Sequence, residues 1–165
     1  AEWLPLTGLL KEISLRGKHN EFDNRFPGRD AWVLDAGARL EWSDLATAGD
    51  ALTLRPGYLF NGAGQARYRY HRVDGGVDYR YPLSEDMRLV GGLTLAYRGY
   101  DGAYPGASED REDWVVSPRL QLIKTNFFHP QLSATGYYQF QRNFSNDDTF
   151  DYSNHVFGGS LIWSF

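Results

Sequence analysis

Cysteine is absent, methionine occurs once, and no run of about 18 or more apolar residues interrupts the 165-residue chain. Without cysteine there is neither a disulfide framework nor a thiolate metal site. Without a long apolar run there is no transmembrane helix, although a membrane-spanning β-barrel, whose strands need only ~10 alternating residues each, stays open. Basic excess is missing too: the formal net charge is -4. That argues against a nucleic-acid partner, whose phosphates require a basic surface. The chain opens at Ala1 without a charged and then apolar leader, so a cytoplasmic or already processed polypeptide is expected. The length predicts one domain spanning 1–165, with 1–9 a short N-terminal segment.

What the chain has in quantity is aromatic residues and glycine: 11 Tyr, 10 Phe, 5 Trp and 18 Gly. Tyr and Trp pair an apolar body with a polar tip and suit wet boundaries. Alternation of apolar and polar residues predicts eight strands, near 10–20, 31–43, 51–61, 66–82, 87–99, 113–124, 131–142 and 155–165. Only residues 2–10 compete as a short helical turn. Connections after the odd strands are mostly long and rich in Gly, Asn, Asp and Pro, and those after the even strands are shorter, such as SDLATAGD, LSED and TNFFHP. Eight antiparallel strands with long loops on one rim and short turns on the other predict an all-β, up-and-down barrel. Two of the long loops echo each other, FDNRFPG at 22–28 and YDGAYPG at 100–106, each leading through Arg and an acid into a Trp-led strand. Convergent turn chemistry and an ancestral hairpin duplication both account for the echo.

One face of the alternation carries Glu12, Arg16, Lys18, Asp35, Arg39, Glu41, Arg55, Arg72, Asp74, Asp78, Arg80, Arg88, Arg98 and Arg119, nine basic groups against five acidic. Arginine forms bidentate pairs in confined sites, so this face is expected inside, as a lumen charge network. The other face is expected to meet lipid. Its membrane-boundary aromatics are Trp32, Trp42, Tyr58, Phe60, Tyr97, Trp114, Tyr138, Trp163 and Phe165. Pro56 and Pro118 fall mid-strand, where bulges are expected.

The closing segment HVFGGSLIWSF alternates and ends on Phe, and it resembles the last strand of bacterial outer-membrane β-barrels. That resemblance implies recognition by the barrel-assembly machinery, periplasmic termini, and partners in the lipid bilayer and lipopolysaccharide. The blocks REDWVVSPRLQLI, LSATGYYQFQRNFSND and FDYSNHVFGGSLIWSF resemble the C-terminal barrel of the surface lipoprotein assembly modifier group and related exopolysaccharide-export barrels. Such a family implies an export- or transport-related, porin-like role.

Salt bridges within the lumen, such as Arg39 or Arg72 with Asp74, Asp78 and Glu41, are one reading of the arginines. The other is a site or path for an anion, including phosphate, an acidic sugar or an anionic polysaccharide. Two acidic groups, Glu109/Asp110/Glu112/Asp113 and Asp147/Asp148/Asp151, could solvate loops or bind calcium, but lack EF-hand spacing. A lipid A acyltransferase or deacylase would need a rim Ser, His and carboxylate. Only His19, or His155 beside Ser153 and Asp151, comes near. No cofactor, metal or catalytic residue is assigned, and a non-enzymatic barrel is the expectation. A lipid A enzyme and a soluble ligand-binding barrel are the alternatives.

Overall fold

A computed structural model describes residues 10–22 and 28–164. It is all-β. Eight strands follow the chain in order: β1 (Leu10–Asn20), β2 (Ala31–Ser43), β3 (Ala51–Ala63), β4 (Tyr70–Ser84), β5 (Met87–Tyr100), β6 (Glu112–Lys124), β7 (Leu132–Ser145) and β8 (Tyr152–Trp163). Each pairs antiparallel with its sequence neighbour in one up-and-down sheet. The expected helical turn at 2–10 lies outside the described residues except for Leu10, which starts β1.

Two strand starts differ from the alternation. β4 begins at Tyr70 because Ala66–Tyr68 wind into a single 3-10 turn, and β8 begins at Tyr152 after a matching turn at Asp148–Phe150. The prolines also behave differently from expectation. Register is unbroken on both sides of Pro56 and Pro118, with no bulge at either. Pro56 still stands opposite Gly75, and Pro118 opposite Leu93. On the other side the pairing lapses for two residues, then resumes in the same register. A missing N–H removes the bond toward one neighbour only, so a local gap suffices and no extra residue is needed.

The ring expected from the sequence is not closed. Among the described residues β1 pairs only with β2 and β8 only with β7. Nearly every residue of the two edge strands is exposed, whichever face it occupies. The sheet nevertheless curls, because one cavity is lined from Glu12 on β1 to Thr94 on β5. An eight-stranded ring is filled by its own inward side chains. Here the inward arginines Arg39, Arg55 and Arg119 keep 46%, 41% and 36% of their side-chain surface open, so the concave side is not packed shut.

The two faces are inverted relative to a water-soluble sandwich. Leu34, Val73, Leu95, Trp114, Leu120, Phe157 and Leu161 share the convex face and are all exposed. Asp78, Asp113, Ser117 and Asn143 lie on the concave face and are buried. A small apolar cluster of Ala31, Val33 and Ala63, with Leu59 and Tyr68 against it, fills the concave side near the long loops.

At the opposite end the β2–β3 turn is held by one carboxylate. Asp50 is fully buried and accepts from the amides of Leu45, Ala46 and Thr47 and from the Tyr79 hydroxyl at 2.6 Å. The Tyr79 bond first, and then the three amides, hold its carboxyl below the usual range against the opposing effect of burial. A depressed carboxylate stabilises the fold above the unfolded pKa of about 3.9, and that contribution is lost as pH falls through the lower folded value. Asp44 and Gly49, both in the left-handed region, set the turn's reversal. Aspartate and glycine are among the residues that tolerate it.

Candidate functional site

The arginine face assembles as a chain of ion pairs along the concave surface. Arg39 binds Glu41 at 2.5 Å, and Arg72 binds Asp74 at 2.7 Å. Each pair joins positions two apart on one strand, which point to the same side. Asp78 on β4 lies between two arginines from other strands, Arg55 on β3 and Arg119 on β6, the latter at 3.0 Å. Arg98 reaches Asp113 at 3.5 Å. Arg80 and Arg88 sit toward the short-turn end, and neither makes an ion pair among the described residues. Asp78 and Asp113 each serve two guanidiniums, so the face keeps a surplus of positive charge after its own acids are used.

Glycine makes room for this network. A Cβ at Gly92 would collide with the Asp78 carboxylate, and one at Gly57 would lie 2.6 Å from Asp74. Removing those methyl groups lets the acids lie against the sheet, where neighbouring strands' arginines reach them.

Asp113, buried as fully as Asp50, was counted in an acidic loop although it also opens the expected strand at 113–124, and its burial was missed. It stands near the start of β6, fully buried, with the Arg111 guanidinium fixed across it by two hydrogen bonds of 2.8 and 2.5 Å. The Arg111 guanidinium also lies 3.4 Å from the centre of the Phe150 ring and 4.5 Å from that of Tyr100. Beyond Phe150, contacts continue to Tyr104 at 5.0 Å and from Tyr104 to Tyr68 at 6.0 Å. Tyr68 in turn carries Arg29 and Arg67 over its ring, at 4.8 and 4.9 Å. Arginines and aromatics therefore interleave across the long-loop mouth.

This mouth contains the same unit twice. Arg29 over Tyr68 corresponds to Arg111 over Phe150. Asn61 donates to the Tyr68 carbonyl at 2.7 Å as Asn143 does to that of Phe150 at 2.6 Å, and each aromatic ends a 3-10 turn. One constant separation relates Arg29 to Arg111, Trp32 to Trp114, Asn61 to Asn143, Tyr68 to Phe150 and Tyr70 to Tyr152. The constant separation relates four strands to four, β1–β4 to β5–β8; the echoing loops at 22–28 and 100–106 precede corresponding strands but do not share that separation. The repeat is not perfect: Ala31 stands where the second copy has Asp113.

The boundary aromatics separate into groups. Trp32, Trp114 and Trp163 are 68%, 55% and 46% exposed on the convex face, with Tyr58 and Tyr138 beside the chain's middle. Phe60 and Tyr97 are half-buried, whereas Trp42 is buried; Phe165 lies outside the described residues. His71 and His155 are both convex and make similar contacts, though at positions the repeat does not relate: each shares a hydrogen bond with a tyrosine hydroxyl, Tyr58 at 2.5 Å and Tyr138 at 2.9 Å, and packs on Phe60 or Phe140.

The groupings considered for other chemistry do not assemble. Asp151 pairs with Arg142 at 2.6 Å while His155 faces Tyr138, so no rim triad forms from Ser153, His155 and Asp151. His19 instead lies 3.8 Å from Glu21 and packs on Trp32. Glu112 and Asp113 belong to β6, and among the described residues no three His, Asp or Glu groups converge as a metal site. Comparison with protein-family models, curated proteins and solved structures finds no match for the chain.

Proposed function

We propose that the chain is the wall of a bacterial outer-membrane β-barrel, non-enzymatic, whose concave face carries or holds anionic material. The observation behind this reading is the inversion of the sheet, with large apolar side chains exposed on the convex face and charge gathered on the concave one. Exposed apolar surface of that extent is costly in water and favourable against lipid. Partners on this reading are the lipid bilayer, lipopolysaccharide and the assembly machinery that inserts such barrels. The export-barrel resemblance supports the class of cargo.

An open sheet edge does not survive in hydrocarbon, where every backbone group needs a partner. The β1 and β8 edges must therefore be joined when the wall spans a membrane. β8 has no charge, no proline and no register shift, and so lacks the devices that protect an exposed edge. β1 runs antiparallel to β8, as a joining strand of an up-and-down barrel would.

Surplus arginine is what gives the face its ion preference. Rings of Arg and Lys make pores anion-selective. In planar bilayers under a potassium chloride gradient, the reconstituted chain is expected to pass chloride in preference to potassium, and Arg55→Gln with Arg119→Gln is expected to weaken that preference. Cation selectivity, or the absence of any conductance, would overturn the proposal.

A further inference from the structure

The repeat has a junction inside the chain. β4 ends the first unit and β5 opens the second, and the two pair along nearly their whole length, with Gly75 opposite Leu95 and Val77 opposite Leu93. The same two kinds of edge stand open at the ends of the sheet, since β8 corresponds to β4 and β1 to β5. Pairing follows the correspondence. Asn143 faces Tyr152 as Asn61 faces Tyr70, and Phe140 faces His155 as Tyr58 faces Val73. At the other end Trp32 faces His19 as Trp114 faces Tyr97, and Leu34 faces Gly17 as Val116 faces Leu95. The backbone groups that β8 leaves unpaired are therefore the equivalents of those β4 gives to β5, and β1 presents the equivalents of those β5 gives to β4.

Carrying the β4–β5 register over to the open edges sets residues 12–20 against 154–162, with both strands keeping their faces. On the convex side Phe157 meets Gly17, where a Cβ would find nothing within 4 Å, and Leu15 meets Gly159. Leu161 meets Ile13, so the apolar convex surface continues across the seam. β8 carries no Lys, Arg, Asp or Glu, so the seam sets no like charges opposite each other, an arrangement that destabilises strand pairs.

Two ways of joining the edges use this seam. One chain closing on itself makes a ring of eight strands, whose interior its own side chains fill. Arg39, Arg55 and Arg119 keep more than a third of their side-chain surface open, and shut in such a ring they would lose that water without gaining partners. Two chains of eight strands each make a ring of sixteen, a size that leaves an aqueous channel. A twofold axis along the channel brings β8 of each chain to β1 of the other, and the head-to-tail contact closes after two copies.

We propose that the wall is closed by a second copy of the chain, through two β8–β1 seams that reproduce the β4–β5 junction. The assignment rests on the membrane reading and names the partner that covers the edges there.

Ser14 and Ser160 stand directly opposite in this seam. Opposite residues of an antiparallel pair lie about 4.5–5.5 Å apart between Cα atoms, within the span of a disulfide. Chains carrying Ser14→Cys and Ser160→Cys are folded together in detergent, oxidised, and run on a denaturing gel without reductant. Cysteine is otherwise absent, so any bridge is the introduced one. The mixture is expected to shift to the mass of two chains while either variant alone stays at one. A chain carrying both substitutions is expected to shift to two chains with both thiols consumed, and light scattering on the parent in detergent to give a protein mass of two chains. A double variant whose thiols are consumed at the mass of one chain, a ladder beyond two chains, a mixture that shifts no more than its parts, or a parent of one-chain mass would each overturn the proposal. One-chain closure in a protein that still passes chloride over potassium would sink this inference alone. A protein that folds and stays soluble without detergent would sink the membrane reading, and this inference with it.

Discussion

Asp113→Ala lowers the stability of the folded sheet by about 3–5 kcal/mol, the range for removing one partner of a buried ion pair. The side chain is fully buried, and Arg111, which it holds by two hydrogen bonds, is only 8% exposed. Removing the carboxylate leaves Arg111 charged, shielded from water and held only by the Phe150 and Tyr100 rings. Asp78→Ala provides the contrast. Its partners Arg55 and Arg119 are 41% and 36% exposed, so water rehydrates them and the loss is smaller. Urea titration of both variants in the same detergent, followed by the gel shift of the folded band, measures the difference. Equal midpoints for Asp113→Ala and the parent would show that the pair is not shielded.

On the proposed membrane reading, Leu95→Arg produces the second large effect, an expected loss of about 2–4 kcal/mol, the range for arginine at the lipid-facing midplane of a barrel. Leu95 stands mid-strand on β5, opposite Gly75 and Val116, and is 47% exposed on the convex face. If that face met water, the same substitution would change stability by no more than about 0.5 kcal/mol, as surface substitutions usually do. The magnitude therefore separates the two environments. Folding yield into phospholipid vesicles reads it directly: strongly reduced for Leu95→Arg and unchanged for Thr94→Gln, the adjacent residue on the concave face.

Strand positions were legible because alternation with period two persists through every segment, and the concave arginines followed from the same parity. Strand ends were harder. Ala66–Tyr68 alternate well enough to pass as strand, and only the repeat with Asp148–Phe150 marks both as turns. Asp113 was hidden by its neighbours, since an acid among Glu109, Asp110 and Glu112 looks like part of a solvated loop. Its place at the first residue of the sixth expected strand was legible, but its burial and its pairing with Arg111 were not. Closure was not legible at all. Alternation specifies which way a side chain points, whereas the curl of the sheet depends on how strands tilt and stagger together.

The absence of cysteine makes the central claim directly measurable, because any introduced thiol is unique. Thr94→Cys and Leu95→Cys place that thiol on opposite faces of the same strand. After reconstitution into phospholipid vesicles, each is exposed to a charged, membrane-impermeant thiol reagent. The inverted sheet predicts that Thr94→Cys, in the water-filled concave face, is modified, and that Leu95→Cys is protected by lipid. Modification of Leu95→Cys with protection of Thr94→Cys would contradict it, turning the apolar face toward water and the arginines toward the bilayer.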